Sequence, residues 1–423
     1  MSSARVLHVE TRGSAAPFDN VRPKRLLVVE EALKSEVGHF FEYDRAVVEA
    51  HKAIGCETVV AAHGSVAETV KAAIGARPVF AKSSWDRVYM HPSAARRLAG
   101  IFEHNWLVYR ALRAFVAEHG SFDGVFLPTV ALHHVMGAQL FAARELGRGT
   151  GRVMLLFRNS LGQYVDGVAQ LDPIKRMMWR RTMARLLPEV RRGRVLLATD
   201  SDRLSAEYER LTGQTLTVLP HPNFVVRGTR TSAFRADDPF TFGCLGPPRL
   251  EKGIDLVLHA IRLFRSRHPK ADARFVLQWN EEVRESSGAL VEPGQDITSD
   301  PGVRFIRRPL SSADYEAELG GLDCMLLPYR RTSYAARISG VAVEAVTSGM
   351  PVIYTSDTWT ADLVSRHGAG IAVRDEDAEN LAEAIGQMYE RRSEFTGEAR
   401  QRAAGAQKAH APETFVARLW GAG

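Results

Sequence analysis

Short runs of apolar and β-branched residues alternate along this chain with longer stretches whose apolar positions recur every three or four residues. The runs of the first half are 26–29, 58–62, 124–127, 153–157, 195–199 and 216–219. Those of the second half are 240–245, 274–278, 303–306, 324–327, 352–355 and 371–373. Between them lie helical stripes. Tyr43, Val47, Ala50 and Ile54 make one, closed by Gly55, and Ile254, Val257, Leu258, Ile261 and Phe264 make another. Short β-branched runs predict strands and the three-to-four period predicts helices. Their alternation predicts parallel sheets with helices on both faces. The fold class is therefore α/β, with two doubly wound Rossmann-like domains and a cleft between the C-terminal edges of their sheets. Residues 220–238 are polar, marked by Pro and Gly, and without periodicity, so the seam falls there. The expected divisions are 1–223, a linker at 224–238, a second domain at 239–400, and a last helix in 401–423 that packs back toward the first domain.

Composition narrows this picture. At 423 residues the chain exceeds one core and suits two domains of about 200 residues each. It is 45% hydrophobic and 25% charged, which excludes the disordered and fibrous classes. No apolar run is long enough to span a bilayer, and the opening MSSARVLHVETRGSAAPF has no apolar signal core. A cytoplasmic protein is expected, and Cys56, Cys244 and Cys324 read as reduced core thiols. The net charge of +6 is concentrated. Residues 173–195 carry eight Lys and Arg against one Glu, more than the whole chain's excess. With Met177, Met178 and Trp179 this segment suits an anionic surface such as a membrane's inner face. Lys175, Arg176, Arg180, Arg181 and Arg185 go most of the way round the helix, which suits a solvated basic helix equally well.

Two stretches carry chemistry. Residues 334–357, YAARISGVAVEAVTSGMPVIYTSD, read as a loop, a short apolar helix stopped by Gly349, and a strand. Glu344 is the one charge on that helix. A buried carboxylate costs several kcal/mol unless donors meet it. A capping box fails on spacing, because Ala342 or Val343 holds the reciprocating position. That leaves a buried partner such as Arg337, or a ligand diol, and the helix start beside it offers free amides to an anion. The second stretch is 240–264, FTFGCLGPPRLEKGIDLVLHAIRLF. Arg249 and Lys252 sit in its strand-to-helix turn. Cations at a helix start oppose the macrodipole, so either an anion lies between them or they are ordinary surface charge beside Glu251.

Together the motifs G-x-x-R-x-E-K-G-I-D and S-G-V-x-x-E-A-x-x-x-G-x-P-V-I resemble the C-terminal domain of retaining GT-B glycosyltransferases of the family-4 kind. GAGIAVRDEDAENLAEAI and SDRLSAEYERLTG…VLPHPNF carry the same resemblance, which covers the chain from about residue 199 onward. It implies a hexosyltransferase moving a sugar from a nucleotide-diphosphate donor to a hydroxyl acceptor, with retention. It implies no metal and no cofactor, the nucleotide sugar being a co-substrate. Arg249 and Lys252 would hold the diphosphate, Glu344 the ribose hydroxyls, and the amides of Ser339, Gly340 and Val341 the phosphates. The sequence departs from the family pattern twice. Ala336 stands where a first glutamate is usual, with Arg337 beside it, and Pro247 stands where the first diphosphate Arg is usual.

The first half is expected to take the acceptor, as a sugar or a lipid-linked chain in envelope or exopolysaccharide assembly. Candidates are Gly38 and His39 after the first strand, Thr129 after the third, with His133 and His134 at the next helix start as catalytic groups, and Arg158 at the same sheet edge. A helix-start His bonded to local backbone is the plainer reading of either His. Asp200-Ser201-Asp202 matches the metal-binding D-x-D but sits at a helix start, where it reads as a cap. The acidic Asp375–Asp377 segment reads likewise. No nucleic-acid partner is expected. Two other readings stay open: a GT-B sugar-nucleotide epimerase or hydrolase, and a nucleotide-sugar-binding homologue without turnover.

Overall fold

The computed structural model describes residues 23–36, 39–86, 91, 93–146, 151–165, 167–223, 239–285 and 287–421. The apolar runs become two parallel sheets. The first domain holds β1 (Arg25–Glu30), β2 (Glu57–His63), β3 (Ala76–Phe80), β4 (Gly124–Leu127), β5 (Arg152–Phe157), the hairpin β6 (Gln163–Val165) and β7 (Val168–Gln170), β8 (Val195–Thr199) and β9 (Thr217–Val218). Its sheet runs β3-β2-β1-β4-β5-β8-β9. The second domain holds β10 (Phe240–Cys244), β11 (Ala273–Gln278), the hairpin β12 (Val283–Arg284) and β13 (Leu290–Val291), β14 (Val303–Ile306), β15 (Cys324–Leu327), β16 (Val352–Thr355) and β17 (Gly370–Val373). Its sheet runs β14-β11-β10-β15-β16-β17. Strand order reverses around β1 in the first sheet and β10 in the second. Crevices open at such switch points, outside the carboxyl ends of the strands.

Strand β3 was not legible in the apolar pattern. Its sequence is ARPVF, with Arg77 and Pro78 interrupting the run. Proline lacks the amide a central strand needs, and among the described residues β3 lies at the sheet edge, paired only with β2. Ile54 lies outside the stripe it was expected to complete. The helix ends at Ala53 and Ile54 is exposed.

In the first domain, helices Ala94–His119, Leu132–Glu145 and Pro173–Arg191 cover one face of the sheet through Val108, Phe141 and Met183. Asp172 caps the basic helix, accepting from the amides of Ile174 (3.0 Å) and Lys175 (3.2 Å). Trp179 points inward against the rings of Phe157 and Tyr208, so the expected aromatic on the basic surface belongs to the core instead. The other face takes helix His39–Ala53 and the last helix of the chain, Pro412–Trp420. Phe415 and Leu419 are fully buried there, and the Arg152 side chain donates to the Leu419 carbonyl. The preceding helix, Arg392–Ala409, lies instead against helix Gly340–Thr347, where Gln407 donates to the Thr347 carbonyl (2.9 Å).

The D-S-D-R run at 200–203 brackets the two domains. Ser201 is the N-cap, accepting from the Leu204 amide (3.1 Å), and its hydroxyl donates across the seam to the Ala336 carbonyl (2.8 Å). Asp202 pairs with Arg366 (2.7 Å), and Arg203 forks onto Asp362 (2.5 and 2.8 Å). Asp200 accepts from Arg158 (3.1 Å).

Candidate functional site

The loop after β10 is shaped by two glycines in left-handed backbone, Gly246 (φ +94°) and Gly253 (φ +70°). A Cβ on Gly253 would stand 2.2 Å from the Pro328 carbonyl oxygen, so only glycine lets this loop lie against the chain leaving β15. Arg330 fixes the contact. Its amide donates to the Glu251 carbonyl (2.9 Å), and its guanidinium reaches Asp255 (2.7 Å) and the Leu250 carbonyl. The short 3-10 turn Leu250–Lys252 therefore presents its cation at the second sheet's switch point.

A Cβ on Gly246 would lie 2.8 Å from Lys252 Nζ and 3.8 Å from Val341 Cγ2. The ammonium thus stands at the start of helix Gly340–Thr347. Among the described residues Lys252 Nζ has no hydrogen-bond or ion-pair partner. Burial brings its pKa down to about 8, and the nearby Arg249 and Arg337 push the same way against Cys244 and Glu251. Arg249 and Arg337 share one oxygen of Glu251, at 3.7 and 3.4 Å. Three cations and one carboxylate leave this corner positive.

Ser339 caps the helix, accepting from the Ala342 amide (3.2 Å). The amides of Gly340 and Val341 lie in the first turn, where a helix supplies no acceptor. Glu344 follows Val341 by one turn and so shares its face. Its Oε2 accepts from the Tyr315 hydroxyl (2.5 Å), and Arg337 turns instead to Glu251. Burial raises the Glu344 pKa to about 6, with Glu42 and Glu316 adding and Tyr315 opposing. Glu42 belongs to the first domain and also bonds Ser312, on the helix that carries Tyr315. Glu344 therefore lies where the two domains meet. The structure brings Arg249, Lys252, Arg337, Ser339, Gly340, Val341 and Glu344 to one corner of the cleft. Sequence reasoning missed Tyr315 and Arg330, whose partners lie 29 and up to 80 residues away, with no motif joining them.

The first-domain candidates do not converge in the same way. Gly38 lies outside the described residues, and His39 opens helix His39–Ala53 with its side chain outside them. His134 is buried. Its Nδ1 accepts from the Ala131 amide (3.0 Å) and its Nε2 faces Glu31 (3.1 Å), which leaves neither nitrogen for a substrate. The expected catalytic role for His134 therefore gives way to a structural one. His133 is half-buried against His104, and burial lowers its pKa to about 4. Thr129 lies against Glu30, whose pKa burial raises to about 7. Arg158 is held between Asp200 and the Tyr43 ring. Glu31, His104 and His134 are close enough to ligate a metal. Each carboxylate oxygen already faces a ring nitrogen, however, and the Ala131 amide fixes the His134 proton on Nε2, where a metal would need a lone pair.

Residues 239–391 match the family described as Glycosyl transferases group 1. No curated protein matches the chain. Among solved structures, sucrose-phosphate synthase from Thermosynechococcus elongatus superposes with a TM-score of 0.61 at 16% identity, over 93% of this chain and 96% of that one. Anabaena HepE in complex with UDP-glucose gives 0.58 at 13% identity, over 93% and 98%. The fold is GT-B. The lipopolysaccharide outer core galactosyltransferase WaaB, in its apo form, shares this GT-B architecture at a TM-score of 0.55 and 12% identity, over 93% and 99%.

Proposed function

We propose that this GT-B protein is a hexosyltransferase that moves a sugar from a nucleotide-diphosphate donor to a hydroxyl acceptor, with retention and without a metal. The observation that carries the reading is the unpaired Lys252 ammonium at the start of helix Gly340–Thr347, flanked by Arg249 and Arg337, with Glu344 one turn along. A cation held partly buried without a partner costs stability, and a bound diphosphate offsets that cost. Lys252, Arg249 and the first-turn amides would stabilise the charge growing on the departing diphosphate. Glu344 Oε1 would take a ribose hydroxyl while Tyr315 holds Oε2. The acceptor would enter from the first domain, on a lipid or polysaccharide carrier at a cytoplasmic membrane face. The HepE complex supports UDP-glucose as the first donor to try.

The test is calorimetric titration with UDP, ADP and GDP, followed by donor turnover with and without chelator and NMR of the product anomer. Binding of one nucleoside diphosphate, lost in Lys252→Ala and Glu344→Ala, supports the reading. No binding by any of the three removes it. Donor consumption without acceptor would assign an epimerase or hydrolase, and binding without turnover a catalytically silent homologue.

A further inference from the structure

Exposed apolar side chains on this protein are concentrated. Of ten large apolar residues that stand exposed among the described residues, eight lie on the first domain at Trp85, on helix Ala94–His119, on the β6–β7 hairpin and at the start of helix Pro173–Arg191. Leu98, Phe102 and Trp106 recur every four residues and so form one stripe. Phe102 is 54% exposed, Trp106 51% and Ile174 66%. In a strand-to-helix unit the helix begins at the carboxyl edge of the sheet, so these residues ring the cleft side of the domain. The hairpin reaches the second domain itself, since a Cβ on Gly167 would stand 3.2 Å from Arg331 Nη2.

Unpaired cations accompany them. Lys175, Arg176, Arg180, Arg181 and Arg185 have no side-chain partner among the described residues. At the far end of the same helix Glu189 pairs with both Arg192 (2.6 Å) and Arg194 (3.3 Å). Arg176, Arg180 and Arg181 line an open groove with Leu171, Pro173 and Met177. Guanidinium groups beside exposed Ile and Met match a surface that is anionic outside and apolar beneath. Nucleic acid would meet the charge and waste the apolar stripe.

We propose that this rim of the first domain docks on an anionic phospholipid bilayer, with Arg176, Arg180 and Arg181 on the headgroups and Ile174, Met177, Phe102 and Trp106 seated in the interface. The cleft mouth then opens at the membrane surface. This docking does not depend on the sugar-transfer reading, because it is read without turnover.

The experiment is flotation of the full chain with phosphatidylcholine vesicles, with and without phosphatidylglycerol. Wild type is expected to float with the anionic vesicles only. Arg176→Glu/Arg180→Glu/Arg181→Glu should lower that partition by about 10² or more, at about fivefold per cation. Phe102→Ser/Trp106→Ser should keep the salt-sensitive attraction and lose the binding that survives high salt. All these residues are exposed, and unchanged melting curves exclude misfolding. The proposal is overturned if wild type stays in solution with anionic vesicles, if the charge reversal floats like wild type, if the apolar variant binds normally at high salt, or if the basic helix retains the chain on heparin while vesicles do not.

Discussion

Replacing Lys252 by methionine should make the ligand-free protein more stable and the nucleotide-bound protein no better. Among the described residues the ammonium has no partner, and burial lowers its pKa from 10.5 to about 8. At 1.36 kcal/mol for each tenfold loss of proton affinity this is about 3 kcal/mol, and solvent at the opening reduces it to about 2 kcal/mol. Because the folded value lies below the unfolded one, the cost is fully present below about pH 8. It fades as pH rises from there toward 10.5. Methionine keeps most of the length of the side chain, one atom short, and removes the charge. Near neutral pH the variant should melt about 4–8 °C higher, a gain that shrinks by about pH 10. Scanning calorimetry with and without UDP measures both sides. Wild type should gain stability from UDP by mass action, and the variant should lose that gain. A melting temperature that falls or stays fixed at neutral pH refutes the cost assigned to Lys252. An undiminished UDP shift refutes its role in binding the diphosphate.

Three further outcomes follow from the same geometry. Glu344, raised to about 6, must be ionised to accept two donors, so nucleotide affinity by calorimetry should fall as pH drops through that value. Tyr315→Phe removes a bond that favours the ionised form and should move this limb to higher pH, whereas Glu344→Gln should flatten it. Asp44 is fully buried with both carboxylate oxygens unpartnered among the described residues, and burial holds its pKa well above the ordinary value, with Glu30 adding. Its neutral form supports the fold, and that support is lost as pH rises through the raised value. Asp44→Asn should therefore stabilise the protein at alkaline pH and change little in acid, by urea midpoints. Gly253→Ala places a methyl 2.2 Å from the Pro328 oxygen at positive φ, so it should cost about 1–3 kcal/mol in urea unfolding and weaken UDP binding by displacing Lys252.

What the sequence made legible follows from what is local. Strands buried on both faces read as near-continuous apolar runs, so 124–127, 195–199, 324–327 and 352–355 coincide with observed strands; 303–306 coincides too, although Arg304 is exposed on that edge strand. The residues of the proposed donor site were legible because each breaks a local rule: Glu344 on an apolar helix, Lys252 at a helix start. The surroundings of the first-domain candidates were not. Whether His134 meets substrate or Glu31 is decided by Glu31 at the end of β1 and His104 on another helix, and no spacing records that juxtaposition. Likewise Asp200-Ser201-Asp202-Arg203 reads as a cap, which Ser201 is, while its grip on Ala336, Asp362 and Arg366 belongs to tertiary structure.

The return of the last helix to the first domain sets an order on the life of the chain. Phe415, Val416 and Leu419 complete the packing begun by Tyr43, Val47 and Phe126. Those earlier residues leave the ribosome hundreds of positions sooner, and they wait with an unfilled seat until residues 412–420 have been made. The half made first is therefore completed only after the second domain has been made. A nascent chain paused anywhere in the second domain presents that open apolar seat to chaperones, and deleting the final dozen residues should unseat the domain at the opposite end of the sequence.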